Sequence, residues 1–98
     1  MPKKPREMPE PFIEGLIPTL NNRGFMSETL DSYSRKFVSF AGSIDTEALD
    51  MGCAYGVATL PALENGARVV ACDMDAGHIE VLERRVPPQL RSQLRTSV

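Results

Sequence analysis

Two aspartates and two glycines carry the chemistry this sequence is equipped to do. Asp50 precedes Gly52 by two positions, Gly56 follows Gly52 by four, and Asp73 lies seventeen residues beyond Gly56. Glycines at such points let the main chain turn sharply off a strand and come close to a ligand. Ala54 keeps the middle of the loop small. A helix following that loop aims its N-terminal amides at whatever sits there, which favours a carboxylate or a phosphate. An acid at the carboxyl end of a neighbouring strand, the place expected for Asp73, accepts hydrogen bonds from a ribose diol. The set reads as a nucleoside site at the carboxyl edge of a parallel sheet.

The flanking pattern supplies the elements that must hold these residues. Residues 47 to 51 read as a short strand running into the glycine-bearing turn. Val57, Leu60 and Leu63 predict a helix stopped by Asn65 and Gly66, with Pro61 forcing either a late start or a missing backbone bond. Residues 67 to 72 are nearly continuously apolar, as in a parallel strand covered on both faces. Asp75 is placed to cap a further helix bearing Ile79, Leu82 and Val86, which Pro87 and Pro88 break. Leu90 and Leu94 suggest one more short turn, so two strands are expected in all. Strand, helix, strand, helix on short loops makes a right-handed βαβ unit with parallel strands.

Upstream, residues 1 to 11 hold four of the eight prolines and read as an extended tail. Residues 12 to 42 read as a helical segment. Phe12, Ile13, Leu16, Ile17 and Leu20 predict one helix, and a second starts at Ser27 and carries Leu30, Tyr33, Phe37 and Phe40 to a stop at Gly42. Tyr33 and Phe37 are candidates either to cover a bound ligand or to pack in the core. Asp75 is expected only to cap, His78 to be solvated or capping, and Cys53 and Cys72 to be small apolar fillers.

The nucleoside itself is narrowed by what the loop lacks. A dinucleotide loop calls for Gly-x-Gly-x-x-Gly, whereas position 54 is alanine and position 57 is valine. Asp50 would repel a pyrophosphate but attract an α-amino group. S-adenosylmethionine combines an amino acid end, a ribose diol and a sulfonium cation without phosphate, and is preferred over NAD on that ground.

Residues 47 to 86 resemble the first half of a class I S-adenosylmethionine-dependent methyltransferase. Leu49, Asp50, Met51, Gly52, Cys53, Ala54, Tyr55 and Gly56 are similar to that family's first motif, an apolar residue and an acid followed by Gly-x-Gly-x-Gly. Ala67 to Asp75 is similar to the second, a strand ending in the ribose-binding acid. The resemblance implies an α/β, Rossmann-like fold of which this chain holds the N-terminal half: helices, then β-α-β-α with an incomplete sheet, residues 43 to 98 being a partial cofactor-binding domain. It implies that Asp50 reaches the methionine amino group and that the backbone of Gly52, Cys53, Ala54, Tyr55 and Gly56 lines the aminocarboxypropyl arm. Asp73 would hold the ribose hydroxyls and Met74 would pack against adenine. Ala54 departs from the motif's middle glycine, which is harmless if φ there is negative.

Composition removes other classes. A net charge of −2 gives no basic field for nucleic acid or an anionic membrane. No apolar run in the 98 residues approaches the ~18 a membrane helix needs. Two cysteines and one histidine cannot complete a four-ligand zinc site or a disulfide scaffold, and the balance fits a reducing cytoplasm. The resemblance implies a larger sheet than this sequence supplies, so a truncated product of weak or no activity alone is expected. Self-association is one way to complete the sheet. A nicotinamide-dependent oxidoreductase unit and a non-catalytic interaction module remain as alternatives, and the methyl acceptor is not legible.

Overall fold

The computed structural model describes residues 8–9, 16–20, 25–27 and 29–98. The expected N-terminal tail falls almost wholly outside these. The first described elements are two strands, β1 (Leu16–Pro18) and β2 (Phe25–Ser27), paired antiparallel with Ile17 opposite Met26. The helix expected over Phe12 to Leu20 is therefore overturned where it can be read. Pro18 removes a backbone donor that a helix interior needs, whereas a strand in a two-stranded ribbon tolerates the loss. Ile17 is buried against Tyr55 and Val81, with Leu20 and Met26 packed alongside.

Helix α1 (Ser32–Ser43) starts later than expected. Asp31 is its N-cap, accepting the Ser34 amide at 2.7 Å, while Ser27 sits in β2. The helix also runs one residue past Gly42. Its inward side is Phe37, Val38 and Ala41, and Tyr33 and Phe40 project into solvent at 80% and 59% exposure.

From here the expected alternation holds. Strand β3 (Ala48–Met51) leads to α2 (Thr59–Glu64), β4 (Val69–Cys72) and α3 (Ala76–Arg85). Pro61 is the third residue of α2, so the helix starts late and the proline's missing N–H costs no intrahelical bond. Gly66, at φ +87°, closes the helix in the left-handed stop position. Asp75 caps α3, accepting the Gly77 amide at 2.8 Å.

The turn after Pro87 is a 3-10 segment, Pro88–Gln93, and it delivers a third strand, β5 (Leu94–Ser97). The expectation of two strands thus missed β5 as well as β1 and β2: Leu94, Arg95, Thr96 and Ser97 include one apolar residue and one strong β-former, too little for a period-2 signal. Gln93 holds the approach, its side-chain amide donating to the carbonyls of Leu63 and Ala67 at 3.0 and 2.8 Å.

The sheet is parallel throughout, in the order β3-β4-β5, with Asp50 beside Ala71 and Ala71 beside Thr96. All three helices pack on one face, where Ala48, Val69 and Ala71 join Leu63, Ile79 and Leu82 in the core. On the other face Leu49 and Met51 are 55% and 73% exposed, and Val70 and Cys72 are only half-buried. Strand β4 is thus fully covered on one side rather than both.

Candidate functional site

The carboxyl ends of β3 and β4 meet in the loop 52 to 58. Gly52, Ala54 and Gly56 all have positive φ, at +70°, +53° and +90°. The condition on Ala54 is not met: it occupies the left-handed region, where a Cβ costs on the order of 1 kcal/mol. The compensation is visible, because this conformation presents the Ala54 amide to Asp73 Oδ2 at 2.9 Å. Gly56 has a different duty. A Cβ there would overlap Leu82 Cδ1, so its absence sets how closely the loop lies on α3.

Asp73 is the hub. Besides Ala54, its Oδ1 accepts the Asp75 amide at 2.9 Å and His78 Nδ1 at 3.0 Å. Burial works to raise its pKa, but the Asp75 and Ala54 amides and His78 prevail and hold the carboxyl below its ordinary value. His78 is therefore neither solvated nor a cap: it is 5% exposed and joined to the acid. A lone histidine in a helix's first turn gave no hint of this. Its only sequence signal is its five-residue distance from Asp73, across a one-residue cap.

Asp50 is held differently. It shares the helix-covered face of β3 with Ala48, and its Oδ2 accepts the Thr59 hydroxyl at 2.5 Å. Burial pushes its carboxyl up, against the Thr59 hydrogen bond, and the Asp73 charge adds to the rise. Thr59 is fully buried, and a hydroxyl in the first position of a helix nine residues after an acid is a signal the sequence reading did not use.

A hollow of about 680 Å³ opens at this edge of the sheet, lined by Met51, Gly52, Cys72, Asp73, Met74, Asp75, Ser97 and Val98, with the buried His78 ring in its wall behind Asp73. Of the expected site residues it gathers Gly52, Asp73 and Met74. It does not gather Asp50, whose carboxylate lies under the loop. Met74 is 96% exposed at the rim. Nor does the hollow gather Cys53, Ala54, Tyr55 or Gly56, and Cys53 and Tyr55 are buried at 3% and 2%. Burial pushes the Cys53 thiol up to about 12, with Asp50, Asp73 and Cys72 adding to it, which leaves an inert filler. Tyr33 and Phe37 do not line the hollow.

Other solved structures share this fold over part of their length. The glycopeptide N-methyltransferase MtfA complexed with S-adenosyl-L-methionine superposes with a TM-score of 0.61 at 18% identity, over 89% of this chain and 37% of that one. A second structure of MtfA gives 0.57 at 22% identity, over 67% and 32%. A Pyrococcus horikoshii protein described as a candidate RNA methyltransferase gives 0.55 at 20%, over 67% and 35%. The fold is that of the class I methyltransferases. What aligns is a part of the methyltransferase fold, since the chain spans about a third of the length of these structures. No protein-family model and no curated protein matches the sequence. Among the described residues, no helix is long and apolar enough to cross a membrane.

Proposed function

We propose that this chain is the S-adenosylmethionine-binding part of a methyltransferase. The observation that carries the reading is the character of the hollow: it presents Asp73 and Asp75 beside the His78 ring, and among the described residues no lysine or arginine lines it. Such a wall repels a pyrophosphate and suits a cationic, phosphate-free nucleoside. That MtfA has been solved with S-adenosyl-L-methionine and with S-adenosyl-L-homocysteine on the same fold supports the choice.

The residues present fit the group. Asp73 sits at the carboxyl end of β4 to receive a ribose diol. A carboxylate has about four lone-pair sites, and three are engaged by Ala54, Asp75 and His78, so the diol shares the acid with the loop that shapes the site. Gly52, the loop residue on the wall of the hollow, meets the aminocarboxypropyl arm, while Asp50 stands outside the hollow, held by the Thr59 hydroxyl. Met74 covers adenine from the rim. When bound, the sulfonium supplies the methyl group for in-line displacement by an acceptor nucleophile. The chain's own part is alignment and exclusion of water around that centre. Activity of these 98 residues alone is expected to be weak or nil, as they correspond to about a third of the neighbouring methyltransferases.

Calorimetric titration with S-adenosylhomocysteine and, separately, with NAD tests the reading. Heat with the first alone is expected; heat with NAD alone turns the assignment to an oxidoreductase unit. A folded sample that binds neither leaves the interaction module as the better account.

A further inference from the structure

His78 joins two parts of the molecule that the sequence keeps 58 positions apart. Its Nε2 lies 3.3 Å from the backbone N–H of Leu20, which has only a proton to offer, so Nε2 is the acceptor. The ring proton therefore sits on Nδ1, which donates it to Asp73 Oδ1 at 3.0 Å. Asp75 Oδ2 is 3.7 Å from Nε2, too far to compete for a hydrogen bond. The ring is buried and meets Tyr55 edge-on, with centroids 5.0 Å apart at 75°. Tyr55 donates its hydroxyl to the Pro18 carbonyl at 3.0 Å, two residues from Leu20. The end of β1 is thus latched at two backbone atoms, one by a residue of the glycine loop and one by the partner of the nucleoside acid.

We propose that His78 is a positioning residue for Asp73, fixing that carboxylate through Nδ1–H while its Nε2 ties the end of β1 to the same network. The proposal rests on Asp73 being the ribose acid. Its logic is that of an outer hydrogen-bond partner: an acid held by a buried donor keeps one orientation, and a ligand need not order it on binding. Because one neutral ring serves both sides, Leu20 and Asp73 are held together or not at all.

Nitrogen-15 spectra of the imidazole in the unliganded protein are expected to show the Nδ1–H tautomer; the Nε2–H tautomer overturns the proposal. Three variants then separate the two bonds. His78→Asn keeps a donor for Asp73 and loses the acceptor for Leu20. Its affinity for S-adenosylhomocysteine should stay within about threefold of wild type while exchange of the Leu20 amide accelerates. His78→Leu loses both bonds and should bind about tenfold more weakly or worse. His78→Gln, whose longer side chain carries its amide to the Nε2 position and leaves no donor where Nδ1 stood, should bind as weakly as His78→Leu and takes its place if that variant does not fold. Wild-type affinity in the Leu or Gln variant overturns the proposal, as does a His78→Asn variant as weak as they are, which would make the role one of packing. If the wild type itself gives no heat with S-adenosylhomocysteine, the functional reading has failed instead, and the tautomer and the Leu20 exchange rate decide the positioning claim by themselves.

Discussion

Strands β3 and β4 both end near an aspartate, yet the two carboxylates live under opposite conditions. Asp73 faces the hollow, gathers two amides and a ring N–H, and is pulled toward ionisation. Asp50 sits under the loop on the helix-covered side, accepts the Thr59 hydroxyl, and is pushed toward the neutral form by burial. An acid's position at a strand end therefore does not fix its state; the donors the next turn supplies do. The chain after β4 turns at once into a capped helix, and the amide of the cap residue, Asp75, faces back at Asp73. The chain after β3 takes seven loop residues before α2, and among the described residues it is a side-chain hydroxyl, that of Thr59, that reaches Asp50.

Removing Asp73 should break this contrast most strongly. Asp73→Ala strands the Ala54 amide and His78 and is expected to cost about 2–4 kcal/mol in denaturant unfolding. The loop's left-handed Ala54 would lose its compensation in the same step, and S-adenosylhomocysteine affinity should fall by about tenfold or more. Intact stability would mean the carboxylate is not the hub that the geometry describes.

Asp50→Asn sharpens the contrast through pH. For Asp50 the folded pKa lies above the ordinary 3.8, so the native state holds the extra proton and stability is lost as pH rises through the raised value. For Asp73 it lies below 3.8, so stability present above that value is lost as pH falls through the lowered one. Asp50→Asn should accordingly gain up to about 1 kcal/mol over wild type at neutral pH, and the gain should shrink as the solution is acidified. Thermal unfolding across an acid-to-neutral series measures it; a gain that grows on acidification contradicts the assignment.

The smallest effect is at the join between the two strand ends. Ala54→Gly relieves a Cβ in the left-handed region but frees the unfolded chain, so the net change in unfolding free energy should be under about 1 kcal/mol. A large loss would show that the Ala54 side chain does more than tolerate its backbone.

Much of this was legible before any coordinates. The alternation from β3 to α3, the cap at Asp75, the stop at Gly66 and the placing of Asp73 all follow from patterns within ten residues or so. The parts that were not legible depend on distant neighbours. β1 took a helical period over too short a stretch to be told from a strand, and its burial is decided by Tyr55 and Val81. β5 is a strand because β4 offers it an edge. At the site, Thr59 and His78 were missed because each works only after the fold has brought an acid to it. Asp50, by contrast, was found at the right strand end, but which side of the loop it serves could not be read from its spacing.

The fit between Gly56 and Leu82 has a bearing on traffic. The loop is fastened to α3 twice: Arg85 Nη1 donates to the Tyr55 carbonyl at 2.7 Å, and Gly56 lies where no side chain could stand off Leu82. At the helix's other end Asp73 and His78 pin it again. A floor clamped at both ends does not swing aside to admit a guest. Approach and departure are left to the outer rim, where Met74 stands in water, so the pace of exchange should be governed by that side chain rather than by any opening of the glycine turn.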